Sequence, residues 1–125
     1  RCAKRHGLTV NELFVLDILW FSPAGCTQKV ICERLSANKQ TIAAITGRFL
    51  KKGYILLEEI AEDRRNKRIR FTRQGAEYVR GIIPSAAAAE NRAMARLGQE
   101  DVRLLVRLTK EFTENMEKQF AALSD

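Results

Sequence analysis

Leu13, Leu16, Leu19 and Trp20 recur at the spacings of an amphipathic helix, behind Thr9 and Glu12, whose separation of three is a capping-box pattern. A helix is predicted from about Val10 to Phe21. Ser22-Pro23-Ala24-Gly25 ends it, because proline lacks an amide donor and glycine tolerates turn geometry. Thr27 then caps a short helix with Ile31, Cys32 and Leu35 facing inward, and Ser36-Ala37-Asn38 form a turn whose last residue suits the cap of a third helix. That helix, Lys39 to about Lys52, points Ile42, Ile45 and Phe49 inward and stops at Gly53. Two short helices joined by such a turn make a helix-turn-helix pattern.

The periodicity then changes. Tyr54 to Ile60 is rich in β-formers, and from Lys67 to Thr72 the apolar Ile69 and Phe71 alternate with Arg68 and Arg70. Residues 61–66 between these two strands are predicted to form a loop, so a hairpin with a cationic tip follows the helix-turn-helix. Thr72 caps a long helix through Ala76, Tyr78, Val79 and Ile82 to about Leu97, with a kink expected at Pro84. Gly98 to Asp101 restarts a last helix, on which Val102, Leu105, Phe112, Met116 and Leu123 form one stripe that Leu104, Leu108 and Phe120 widen. The fold class is therefore mostly α with a small β-hairpin wing: a winged helix-turn-helix followed by a C-terminal helical region. A terminal helix this apolar needs a partner surface, and a second copy of the chain is inferred.

Charge separates the two ends. Residues 1–89 carry 16 Lys/Arg against 8 Asp/Glu, whereas 90–125 carry 6 against 7, within a total of 125 residues and +7. A basic body beside a nearly neutral tail implies a polyanion for the first and protein for the second. No apolar run approaches the roughly 18–20 residues that span a bilayer, and no secretory leader is read, so no membrane partner and a cytoplasmic location are expected. Three cysteines, an odd count, fit reduced thiols better than a disulfide framework.

Candidate contacts with double-stranded DNA follow from the chemistry of base edges. Asn38, Lys39, Gln40 and Thr41 open the third helix, and Ala43, Ala44 and Arg48 occupy its next outward turns. Glutamine pairs with adenine, lysine with guanine, and alanine or threonine methyls touch the thymine methyl. On the wing, Arg64, Arg65, Lys67 and Arg68 are placed to enter a minor groove, and Asp63, two residues from Arg65, is expected to hold it by pairing rather than touch DNA. Gly47 in mid-helix costs about 1 kcal/mol relative to alanine, and tight packing of the helix against its own chain is the preferred reason.

With these residues in place the chain resembles the multiple antibiotic resistance regulator (MarR) family of bacterial winged-helix regulators. The markers are Leu8-Thr9 with Leu13, Leu16 and Leu19; Thr27-Gln28 with Ile31 and Leu35; Lys39 to Ile42 ending in Lys51-Lys52-Gly53; and Asp63-Arg64-Arg65 leading to Phe71-Thr72 and Gly75. The resemblance implies a homodimer in which the first and the last two helices interlock, recognition helices in successive major grooves and wings in the flanking minor grooves. It also implies a repressor released by a small-molecule effector, with thiol oxidation as the redox-sensing variant, and no cofactor. Residues 1–7 would be the end of an N-terminal dimerisation helix, 8–75 the winged helix-turn-helix and 76–125 the helical dimerisation region, with Val102, Leu105, Phe112, Met116 and Leu123 at its interface. The chain departs from the family at Ala44, Leu57, Glu58 and Leu50, where basic or polar residues are usual.

Other readings compete. A winged helix used for protein assembly would keep the core and the stripe without needing the basic wing, and a ligand-binding dimer could have lost its DNA role at Ala44, Leu57 and Glu58. Leu13, Trp20 and Tyr78 could line an effector pocket or simply pack in the core. For redox sensing, Cys26 and Cys32 are six apart, about 9 Å of helical rise and on different faces, so no bridge between them is expected. Cys2 with His6 is a single pair without further ligands, so no metal is expected. No histidine stands near a nucleophile and no Gly-rich phosphate loop occurs, so the chain is not read as an enzyme.

Overall fold

Four side-chain caps decide where the helices of the computed structural model begin. Thr9, Thr27, Asn38 and Thr72 each accept a hydrogen bond from the amide three residues on, each in extended backbone conformation. Such a cap stabilises a helix start by about 1 kcal/mol. At Thr9 the box is reciprocal, the Glu12 carboxylate accepting from the Thr9 amide. The structure describes residues 2–123, except the side chain of Cys2, so the expectations for Cys2 and Arg1 lie outside the described residues.

The elements are α1 (Cys2–Arg5), α2 (Val10–Trp20), β1 (Cys26–Thr27), α3 (Gln28–Leu35), α4 (Lys39–Lys51), β2 (Ile55–Ile60), β3 (Asp63–Phe71), α5 (Arg73–Arg80), α6 (Ile83–Ala95) and α7 (Gln99–Leu123). They form two compact units, residues 1–86 and 87–125. In the first, α2 is apolar around most of its circumference and buries Val15, Leu16, Ile18 and Leu19, as a helix enclosed by neighbours must. Ala3, Leu8, Ile31, Ile42, Ile45, Phe49, Ile55, Ile69, Val79, Ile82 and Ile83 complete the core. In the second unit no residue of α7 is buried.

Three expectations are corrected. The helix after the wing is two helices, because Pro84 has no amide to donate to the Arg80 carbonyl; the chain breaks at Arg80 and restarts at Ile83 with Pro84 in the first turn. The hairpin is the larger part of a three-stranded antiparallel sheet, ordered β1-β3-β2, in which Cys26 and Thr27 pair with Ile69 and Arg68. Two residues give too short a pattern to be read as a strand, and Cys26 on β1 is outside the helix on which its distance from Cys32 was judged. Finally β3 starts at Asp63, so the turn is only Ala61-Glu62; Ile60 pairs with Asp63 but Glu59 with Lys67, leaving residues 64–66 as an irregularity on one strand.

The junction between α4, the sheet and α5 is tight. Gly53 takes φ +78, a left-handed value that ends α4, and the Thr72 hydroxyl donates to its carbonyl. The Tyr54 carbonyl accepts from the Thr72 amide at 3.0 Å. Gly75 lies so close beneath that a Cβ there would come within 2.6 Å of the Tyr54 carbonyl carbon. Backbone cannot move aside as a side chain can. Gly75→Ala should therefore destabilise the first unit by about 2–3 kcal/mol, the upper range for overpacking, measured by denaturant unfolding. A variant as stable as the native chain would refute the packing described.

Candidate nucleic-acid interface

The starts of α3 and α4 adjoin. The Gln28 side-chain amide donates to the Lys39 carbonyl at 3.4 Å, joining the first residue of each helix. Neither helix has an acidic residue in its first turn, where acids would be favourable, and Lys29 and Lys39 stand there instead. Each helix start also carries a partial positive charge from its unpaired amides. Both face a cleft of about 470 Å³ whose other wall is the hairpin, with Arg65, Lys67 and Ile69 on one face of β3 and Leu57 on β2. Four cations and two helix starts thus converge on an open cavity, an arrangement whose charge favours an anion over a cation.

Sequence reasoning missed two of these residues, Gln28 and Lys29. Lys29 carried a readable sign, since a lysine in the first turn of a helix works against the dipole. Arg68 was expected beside Arg65 and Lys67, but it occupies the other face of β3 with Arg70, both packed over Gly25. Arg70 pairs across the strands with Glu58 at 3.0 Å, which accounts for the acid at that position. Arg64 is exposed near the wing tip.

Asp63 shapes the wing by a different route from the one expected. Its carboxylate accepts from the Arg65 backbone amide at 3.1 Å and from the Asn66 side chain at 2.8 Å, and takes no part of the Arg65 guanidinium. It therefore fixes the irregular segment 64–66 and leaves the Arg65 side chain toward the cleft. These hydrogen bonds, the Asn66 side chain first, pull the Asp63 carboxyl below its ordinary value.

Along α4, Gln40, Ala43, Ala44 and Gly47 share the face opposite the buried Ile42, Ile45 and Phe49. A Cβ at Gly47 would meet nothing within 4 Å, so the tight packing expected there is absent; the glycine lies on an open face. Asn38 spends its side-chain oxygen on the Thr41 amide at 2.8 Å, and Thr41 is half-buried. Arg48 is half-exposed and pairs at 3.7 Å with Glu12 of α2, a buried carboxylate.

Other candidate chemistry recedes. Burial pushes the Cys26 thiol up, against the opposing pull of Arg34 and a Ser22 hydrogen bond, which lowers its thiolate fraction. Leu13, Trp20 and Tyr78 pack against the core, and Tyr78 stacks on Tyr54 with ring centroids 4.5 Å apart. Among the described residues no group of three His, Cys, Asp or Glu side chains could hold a metal, and no helix is long and apolar enough to cross a membrane.

Residues 6–66 match the model of the MarR family. The chain is 25% identical over 104 residues to the transcriptional regulator HosA of Escherichia coli O157:H7, covering 83% of this chain and 76% of that protein. Its structure is similar to that of NMB1585, a MarR family regulator from Neisseria meningitidis, with a TM-score of 0.82, 27% identity and coverage of 94% of this chain and 82% of the other. The fold also matches Streptococcus pneumoniae FabT, solved in complex with DNA, at a TM-score of 0.70 and 17% identity over 90% of this chain and 78% of that one.

The hydrogen bonds to Asp63 are stronger with its carboxylate than with the neutral acid, so its folded pKa is depressed. Their contribution is complete above the ordinary aspartate value of about 3.9 and is lost as pH falls through the lower folded value. Carbon NMR of the Asp63 carboxyl should show a midpoint below that of an unstructured aspartate, with the Arg65 amide shift following the same curve. A midpoint at or above the ordinary value would contradict the wing geometry.

Proposed function

We propose that the chain, whose residues 6–66 match the MarR family model, is a member of that family and a sequence-specific regulator of transcription that binds double-stranded DNA as a homodimer, acting in the cytoplasm as a repressor released by a small ligand. Members of the family are regulators rather than enzymes. The observation that carries the DNA reading is the cleft between the starts of α3 and α4 and the hairpin, where Lys29, Lys39, Arg65 and Lys67 meet two helix starts. A phosphate backbone lying in it would set α4 into a major groove and the wing tip, with Arg64, against the neighbouring minor groove.

On this reading the direct contacts are few. Lys39 and Gln40 offer hydrogen bonds to base edges, while Ala43, Ala44 and Gly47 offer a flat surface that lets the helix backbone come close to thymine methyls. Much of the selectivity then comes from DNA shape and from the wing. FabT, whose fold is shared, was solved with DNA. An assembly module would have no use for four cations in one cleft, and this is the ground for preferring DNA.

The dimer is supported by apolar surface that each unit leaves open. Val10, Phe14 and Phe21 share one exposed side of α2. Leu105, Phe112, Met116 and Leu123 are exposed along α7, with Leu104, Leu108 and Phe120 beside them. Val102, half-buried, continues the stripe. Residues 1–7 and 76–125 would form the dimerisation region and 8–75 the DNA-binding domain.

Three outcomes are expected. Affinity for a random duplex should fall with salt at a log-log slope of roughly −7, from about −0.9 per phosphate and four cations in each of two copies. In the same fluorescence-anisotropy titration Arg65→Ala should weaken binding about tenfold, whereas Arg103→Ala on α7 should change it little; equal losses would sink the assignment. Gly47→Ala should raise stability by about 0.5–1 kcal/mol, because the position is helical and open, and lower the affinity for the operator selected from random DNA. Unchanged operator affinity would mean that no duplex approaches that face.

A further inference from the structure

Glu12 is a buried carboxylate on α2, and its side chain turns toward α4. Burying a carboxylate is costly unless it is paired, and its ion-pair partner is Arg48, 3.7 Å away. Arg48 in turn is the one cation on the middle of α4, a turn beyond the Ala43-Ala44 face and half open to solvent. The capping box needs only an acceptor at position 12, which glutamine would supply as well as glutamate. A negative charge in the first turn also favours the helix dipole, but Glu12 is nearly buried and stands within ion-pair distance of the guanidinium of the recognition helix, whose charge it offsets.

We propose that Glu12 is a specificity-determining positioning residue, which withholds Arg48 from DNA phosphates and so keeps the helix from gripping any duplex regardless of sequence. This rests on the DNA-binding reading above. On random DNA, where every register is open, a free arginine at that place would always find a phosphate, whereas on the operator the base contacts fix the register and with it what the guanidinium can reach, so the gain falls mainly on random DNA. It would also favour registers in which Ala43, Ala44 and Gly47 do not meet the bases they fit. Tethered, Arg48 adds no net charge, and discrimination is left to shape and to the start of the helix. Sequence-independent binding is held down because genomic competitors are many.

The test is a salt titration of the full chain on random duplex and on its selected operator. Glu12→Gln keeps the cap and releases Arg48 in each of two copies: the slope on random duplex should steepen by about 1.8, so that affinity falls roughly twelvefold further between 50 and 200 mM salt. Random-duplex affinity at low salt should rise several-fold and the operator-to-random ratio should fall. Arg48→Gln alone should leave the slope as in the native chain, since a tethered arginine neutralises no phosphate. The double variant E12Q/R48Q should also return the native slope. An unchanged slope in E12Q would overturn the proposal, and so would a shallower slope in R48Q, which would mean that Arg48 already contacts DNA. If the native chain itself ignores random duplex at low salt, the DNA reading fails instead.

Discussion

The geometry of the cleft depends on the clamp between the end of α4 and the return of β3. Gly53 turns the chain out of the helix through a left-handed conformation, and the Tyr54 carbonyl and Gly53 carbonyl are both held by Thr72. Gly75 lets α5 settle directly on that backbone. The base of the hairpin is thereby fixed to the helix that precedes it, and the cross-strand register carries the constraint outward to Lys67 and the wing tip. β1 adds a second restraint, because it pairs with β3 immediately before α3 begins. Hairpin, α3 and α4 are locked into one body, and their cations keep fixed separations.

That rigidity turns scattered charges into a site. Lys29 and Lys39 belong to two helices and Arg65 and Lys67 to a strand, yet they line one cleft. Cations gathered in this way repel one another and sit at helix starts that are already positive, so the arrangement is unfavourable until an anion enters. A fold selected for stability alone would place acids there, as α7 does with Glu100 and Asp101 in its first turn. Several cations elsewhere are paired: Arg70 with Glu58, Arg48 with Glu12, Arg73 with Glu77 and Arg107 with Glu111.

The apolar surfaces follow a similar logic. α2 is apolar almost all round; one side fills the core while Val10, Phe14 and Phe21 remain outside. α7 buries none of its residues within the second unit. Large side chains left in water along the length of a helix cost free energy that a partner surface would recover.

How much of this was legible depends on the range of each interaction. The amino-acid sequence determined the helix starts, because a cap is a hydrogen bond over three residues and needs only Thr9, Thr27, Asn38 or Thr72 at the right place. It determined the inward faces of α3 and α4, the alternation of β3 about Ile69, and the exposed stripe of α7. Tertiary structure decided what depends on distant segments: the pairing of two-residue β1, the start of β3 at Asp63, the approach of Lys29 to the wing, and the bond of Asp63 to backbone rather than to a guanidinium. It also decided that Arg48 meets Glu12, 36 positions earlier in the chain. Local hydrogen bonds are written in spacing, whereas the meeting of charges from separate elements is set only when the core has docked those elements together.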